Sequence, residues 1–151
     1  MVAGALDDDE AYLSSAASVR DRIAAHGLGE RVAVPGFVPD DELAALYTES
    51  IAVAIPSLAE GFGLPAVEAS AAGTAVVLSD LPAHRESLGE AALFFPPRDA
   101  ARLAEHLELL VRDDATRDAV AERCRAAVVP MTWDAAAERL RALIHGATAL
   151  A

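Results

Sequence analysis

Apolar positions fall along this chain in short unbroken runs, separated by stretches with helical spacing. Ile51-Ala-Val-Ala-Ile55, Ala75-Val-Val-Leu78 and Leu93-Phe-Phe95 contain no polar interruption, the pattern of parallel strands buried on both faces. Pro56 closes the first run, Ser79-Asp-Leu-Pro82 turns the second into a short helix, and Pro96-Pro97 breaks the third. Arg31 to Val34, ended by Pro35-Gly36, reads as a further strand, and Met1-Val-Ala-Gly4 as the end of another. Asp7 to Glu10 supplies an N-cap and dipole-favourable acids for a helix reaching His26, with Gly27 as its stop. Asp40 caps a helix from about Asp41 to Glu49 whose Leu43, Leu46 and Tyr47 read as core positions. Pro65 opens a helix that ends at Gly73. From Asp99 onward the pattern is helical: to about Arg112, then Asp114 to about Ala127, then from near Thr132 beyond Pro130. Leu103, Leu107, Leu110 and Val111 mark the apolar face of the first of these, and Trp133 with Leu140, Leu143 and Ile144 reads as a packing anchor for the third. Strands alternating with helices imply an α/β fold with a doubly wound parallel sheet.

Composition narrows the picture. A length of 151 residues fits one domain. Alanine is abundant, which predicts a core of small side chains. The formal charge of −12, carried with 12 arginines and no lysine, argues against nucleic acid or an anionic membrane as a partner. No apolar run is long enough to span a bilayer and no secretory signal pattern opens the chain, so the expected setting is cytoplasmic. The single Cys124 rules out an internal disulfide and suits a reducing compartment; between arginines in a helical pattern it reads as inert. Asp7 and Asp9 formally match an Asp-x-Asp metal motif, but acids in a first helical turn are common and no second ligand cluster accompanies them, so capping is the preferred reading and no metal is expected.

The candidate chemistry lies in Glu60-Gly-Phe-Gly-Leu-Pro-Ala-Val-Glu68, between the first buried strand and the helix begun by Pro65. Glu68 sits one turn into that helix, where side chains lean toward the N-terminus, and Glu60 approaches from the loop. Gly61 and Gly63 let backbone come close to a ligand, and the free N–H groups of a helix start favour an anion. Such a mouth suits a ligand with hydroxyls for the carboxylates and a phosphate for the amides. Spacing alone also fits plain α/β architecture with Glu68 as an exposed helix residue. His84, Arg85 and Glu86 form the other polar cluster, with Arg85 either a cation for this mouth or a solvated helix residue, and His26 reads as a helix-end residue.

The stretch from Pro56 to Val77 resembles the Glu-x7-Glu signature of the group 1 (family 4) retaining glycosyltransferases. Arg31-Val-Ala-Val-Pro-Gly-Phe-Val-Pro39 and the block from Ser79 to Pro96 are similar to the same C-terminal, donor-binding domain in the same order. Ser70, Ala72 and Ala75 depart from it, standing where Met, Cys and Pro are common. The resemblance implies that Glu68 binds the ribose hydroxyls of a nucleotide-diphosphate sugar. It implies that Glu60 is the catalytic residue by the donor sugar, that the backbone of Gly61, Phe62, Gly63 and Leu64 touches sugar and diphosphate, and that backbone near Val38 lies along the base. It also implies transfer with retention of configuration, without metal or other cofactor, to an acceptor that the sequence does not reveal.

In the usual doubly wound sheet the strand order is 3-2-1-4-5-6, with the ligand beside strand 1. The chain reads as the C-terminal half of a GT-B fold, with C-terminal helices, that begins at the end of strand 2. On this reading strand 1, the basic diphosphate residues after it and the N-terminal acceptor-binding domain are absent, so residues 1–151 form a partial nucleotide-sugar-binding domain. Its final helix would cross to the partner domain, leaving an apolar face exposed. The isolated chain is then expected to be inactive, and an open sheet edge invites self-association or a partner chain. The alternative is a non-catalytic remnant or subunit that binds nucleotide weakly or completes itself with another chain. A dinucleotide-dependent dehydrogenase is disfavoured because no Gly-x-Gly-x-x-Gly follows a first strand.

Overall fold

The computed structural model describes Met1 and residues 16–148. The strand end expected at Met1 to Gly4, the acidic helix start at Asp7 to Glu10 and the Asp-x-Asp reading lie outside the described residues. The chain divides into two units, Met1–Leu43 and Ala44–Ala151.

In the first unit, helix α1 (Ala16–Ala25) stops where the glycine signal placed it. Gly27 takes a left-handed φ of 63°. Its N–H donates to the Ala24 carbonyl at 3.0 Å and the Leu28 N–H to the Ile23 carbonyl at 2.9 Å, the paired bonds that satisfy carbonyls at a helix end. The expected strand from Arg31 to Val34 does not form. Val32 and Val34 are half-buried and Ala33 is exposed, the alternation of an extended chain, yet residues 32–35 join no ladder among the described residues. A strand gains its stability from partners and packing, and Pro35 removes a donor from this one.

Helix α2 (Asp40–Glu49) carries Asp40, Asp41 and Glu42 in its first turn, where the helix dipole favours acids.

The second unit is built on three parallel strands. These are β1 (Ala52–Ile55), β2 (Ala75–Ser79) and β3 (Leu93–Phe95), in the order β1-β2-β3. That order agrees with the 4-5-6 run expected for the doubly wound family. Helices α3 (Leu64–Ala71) and α4 (Pro82–Leu88) make the crossovers. They are followed by α5 (Ala100–Arg112), α6 (Asp114–Val128) and α7 (Trp133–Thr148). Asp99 and Asp113 cap α5 and α6 by accepting from the Arg102 and Thr116 N–H groups at 2.9 and 3.0 Å.

Every residue of β2 is buried. Around it lie Ala66 and Ala69 of α3, Leu110 of α5, and Val120, Cys124 and Val128 of α6, so the core is made largely of small side chains as composition suggested. Alanines and a serine on α3 let that helix lie close. The buried Ser70 satisfies its hydroxyl on the Ala66 carbonyl at 2.6 Å. Cys124 is fully buried and burial raises its thiol above the ordinary range, which keeps it an unreactive thiol.

Trp133, read from sequence as a packing anchor, is 92% exposed, and Leu140, Leu143 and Ile144 of the same helix are exposed with it. The last helix thus carries the exposed apolar face expected of it, and Trp133 is part of that face rather than an internal anchor. Among the described residues no helix is long and apolar enough to cross a membrane.

Because Leu78 is fully buried in the central strand, Leu78→Ala is expected to lower stability by about 2–5 kcal/mol through lost burial and a residual cavity. Urea unfolding of the two chains measures the difference.

Candidate functional site

At the carboxyl end of β1, Pro56 ends strand pairing and residues 56–63 form the loop to α3. The helix begins at Leu64, so Pro65 stands one position further in than its sequence signal suggested. Gly63 is the N-cap, with φ 81° and ψ 44°. Its carbonyl accepts from the Ala66 and Val67 N–H groups at 3.0 and 3.3 Å. Glycine carries no cap side chain, and no side-chain hydrogen bond caps the helix. Pro65 carries no N–H and the Ala66 and Val67 N–H groups are bonded to Gly63, so the donors this helix start leaves for an anion are the Gly63 and Leu64 N–H groups.

Gly63 is required for two reasons. Its left-handed φ disfavours any side chain, and a Cβ there would lie 2.8 Å from His84 Cδ2 and 3.2 Å from His84 Nε2. The exposed side chains of Phe62 and Leu64 stand at the same turn.

The two carboxylates are each held by a hydroxyl. Ser57 Oγ donates to Glu60 Oε1 at 2.6 Å, and both residues are half-buried. Tyr47 Oη donates to Glu68 Oε2 at 3.3 Å, reaching from α2 across 21 residues of sequence. The Thr74 hydroxyl donates to the Tyr47 carbonyl and fixes α2 to the turn after α3. Burial, then the charge and hydrogen bond of Glu68, push the Tyr47 phenol up to about 12. It therefore remains a neutral donor throughout the working range.

Gly61, Phe62, Gly63 and Leu64 thus lie together in the turn, with Glu60 before it and Glu68 on the helix it opens. Val38 belongs to the first unit, half-buried two residues before α2.

Arg85 is a partly exposed helix residue, 33% exposed at its side chain, and is paired rather than a free cation for the mouth. Its Nε and Nη2 donate to the two Asp80 oxygens at 2.7 and 2.9 Å, and Nη1 donates to Glu90 Oε1 at 2.7 Å. The guanidinium stacks on Phe94, 3.7 Å from the ring centroid. Both carboxylates and the ring draw on one cation, and the hydrogen bond from Arg85 holds the Asp80 carboxyl below its usual range. Arg85 therefore braces the end of β2 against β3.

Three participants escaped the sequence. Tyr47 had been read as core, and its ring is packed against the core while its hydroxyl serves Glu68. The pair at positions 57 and 60 has the spacing of a local side-chain turn, a signal that could have found Ser57. His84 was noticed only as part of a polar cluster. It is wholly buried: Nδ1–H donates to the Ser79 carbonyl at 2.8 Å, and in the tautomer this bond selects Nε2 is the acceptor. Nε2 has no partner and is the sole such buried side-chain atom among the described residues. An unmet buried acceptor costs about 1–3 kcal/mol.

A parallel α/β sheet with a glycine turn at the carboxyl end of a strand, flanked by held carboxylates, has the turn at the end where such sheets take ligands. The family described as "Glycosyl transferases group 1" matches residues 2–127, and the chain belongs to it. It is 34% identical over 126 residues to a D-inositol 3-phosphate glycosyltransferase of Corynebacterium diphtheriae, covering 82% of this chain and 30% of that protein. It is 37% identical over 122 residues to a phosphatidyl-myo-inositol mannosyltransferase of Mycobacterium leprae, covering 79% and 33%. Among solved structures, sucrose-phosphate synthase from Thermosynechococcus elongatus superposes with a TM-score of 0.84 at 27% identity, covering 99% of this chain and 38% of that one. The Anabaena protein HepE, solved in complex with UDP, superposes with a TM-score of 0.79 at 23% identity, covering 95% and 40%. The chain thus spans a third or less of the length of the curated relatives it matches, from 17% to 33%.

The raised phenol sets an alkaline limit. Folding favours the neutral form of Tyr47, so its contribution is whole below pH 10.0, the ordinary value, and is lost as pH rises through about 12. Ultraviolet absorbance of phenolate is expected to show one late-titrating tyrosine, and Tyr47→Phe should remove both that step and the accompanying loss of stability.

Proposed function

We propose that this chain forms the donor side of a glycosyltransferase that moves a sugar from a nucleotide diphosphate to an acceptor with retention of configuration. The observation that carries the reading is the pair of hydroxyl-held carboxylates on either side of an uncapped glycine turn. Glu68, oriented by Tyr47, accepts hydrogen bonds from the two ribose hydroxyls. The N–H groups of the Gly61 to Leu64 turn receive the diphosphate and lie along the sugar, and backbone near Val38 lines the base.

As the bond from the anomeric carbon to the diphosphate oxygen breaks, positive charge develops on the sugar and negative charge on the leaving group. A preorganised dipole aimed at each developing charge lowers the barrier without reorganisation. The turn's N–H groups serve the leaving group and Glu60, steadied by Ser57, serves the sugar. A cytoplasmic setting is part of the proposal, and the single buried Cys124 is compatible with a reducing compartment.

The acceptor would be held by parts of the enzyme that this chain does not supply, since it spans under a third of most matched relatives' length. Residues 1–151 by themselves are therefore expected to transfer no sugar, and detection of radiolabelled product from the isolated chain would sink that part of the proposal.

In the complete enzyme, Glu68→Ala is expected to weaken nucleoside diphosphate binding roughly 10- to 100-fold, the loss of hydrogen bonds to a charged group. Glu60→Gln should instead lower kcat roughly 100- to 1,000-fold with little change in nucleotide affinity. Calorimetric titration and steady-state kinetics on the two variants separate the roles; equal behaviour would refute the assignment.

A second reading is a non-catalytic module or subunit. It is favoured by one observation: among the described residues β1 pairs only with β2, and its Ala54 is exposed. An unpaired strand edge is a template for another chain. A concentration-dependent dimer on size-exclusion chromatography supports this reading, and a monomer at all concentrations removes it.

A further inference from the structure

His84 is placed where few histidines are needed for packing alone. It belongs to α4, is 0% exposed, and is anchored at one end through Nδ1–H to the Ser79 carbonyl at the carboxyl end of β2. Ser79 in turn donates its hydroxyl to the Ile55 carbonyl, the last residue of β1, at 3.3 Å. The opposite edge of the ring faces the backbone of Gly63: Cδ2 and Nε2 lie 2.8 and 3.2 Å from where a Cβ would stand. The ring is therefore a spacer between the ends of two strands and the glycine turn. The tautomer set by Ser79 leaves Nε2 an acceptor, and that acceptor is unpartnered. Buried polar atoms are paired with few exceptions, and this one lies against the turn that the donor-site reading assigns to the diphosphate.

We propose that His84 is a positioning residue for the Gly61 to Leu64 turn: its ring holds Gly63 in the left-handed conformation that aims the helix-start N–H groups outward, and Nε2 gains a hydrogen-bond donor when a diphosphate tightens the turn. The inference rests on the donor-site reading given above. His84 does not touch the ligand, because its ring is enclosed. It acts through Gly63, and Arg85 next to it is held elsewhere by Asp80, Glu90 and Phe94. The device concerns only the diphosphate part of the ligand, since the ribose anchor Glu68 is held by Tyr47 from α2.

The test uses the isotopically labelled chain and two variants. His84→Asn keeps a donor for the Ser79 carbonyl and removes the ring edge from Gly63; His84→Gln carries an amide toward the Nε2 position. In ligand-free His84→Asn, amide exchange at Ala66 and Val67, whose N–H groups donate to the Gly63 carbonyl of the turn, is expected to quicken about tenfold while Val76 to Leu78 of β2 stay protected. Affinity for UDP and GDP should fall about tenfold, affinity for uridine and guanosine should hold, and His84→Gln should recover part of the loss. In the unaltered chain the Nε2 nitrogen resonance should move on adding UDP or GDP and stay in place with the nucleosides.

Unchanged exchange at the turn in His84→Asn overturns the proposal, as does equal weakening of nucleoside and nucleoside diphosphate or a fixed Nε2 resonance. If His84→Asn does not fold, the same readouts on His84→Gln decide. If the unaltered chain binds no nucleotide, the donor-site reading fails, while turn exchange still decides whether His84 sets the conformation of Gly63.

Discussion

The carboxyl ends of all three strands are tied together at two consecutive residues, Ser79 and Asp80. The Ser79 hydroxyl donates to the end of β1 at Ile55, and the Ser79 carbonyl accepts from His84. The Asp80 N–H donates to the end of β3 at Phe95 at 2.8 Å, and the Asp80 carboxylate takes the Arg85 guanidinium. These bonds are made at the edge where α/β sheets bind ligands, by a strand whose every residue is buried. The buried strand supplies rigidity, and the tie passes it to the loops. A loop tip such as Gly61 to Leu64 has few apolar contacts of its own, so its geometry depends on what lies beneath it. Here that is a histidine ring anchored to the knot.

Parallel strands and their helices were legible because their signals are local and repeated. Three apolar runs, a proline or glycine at each break and aspartates at helix starts gave β1 to β3 and α5 to α7 almost to the residue. Gly27 and Gly73 ended helices as read, with left-handed φ values of 63° and 84°. The failures were all of context. The segment from Arg31 to Val34 has strand composition, but a strand exists only with a partner, which composition does not report. Trp133 has the right spacing for a packing anchor, and spacing shows which residues share a face without showing whether anything covers it.

The site was legible as a stretch but not as an arrangement. Glu60, the glycine turn and Glu68 could be named because they are close in sequence. What orients them comes from Tyr47, 21 residues before Glu68, and from His84 after an intervening strand. Arg85 shows the same limit from the other side. An arginine near the mouth of a lysine-free chain invites a role as ligand cation, yet its guanidinium is already shared among Asp80, Glu90 and the Phe94 ring.

On the proposed donor-site reading, those constraints explain how an anionic donor would be held by a chain with a formal charge of −12. Screening confines exposed charges to about 8 Å at physiological salt, so most of the acids are silent at the mouth, whereas Glu60 and Glu68 belong to it. An unrestrained carboxylate there would repel a diphosphate and wander between rotamers. A hydroxyl donor on each ties down one oxygen, at 2.6 Å for Glu60 and 3.3 Å for Glu68, and leaves the other for a sugar hydroxyl. The donors at hand for the phosphates are then main-chain N–H groups, whose partial charges act within about one helical turn. A field of such short range works only if the backbone is held in place, which is why a left-handed glycine braced from below matters more here than it would in a basic pocket.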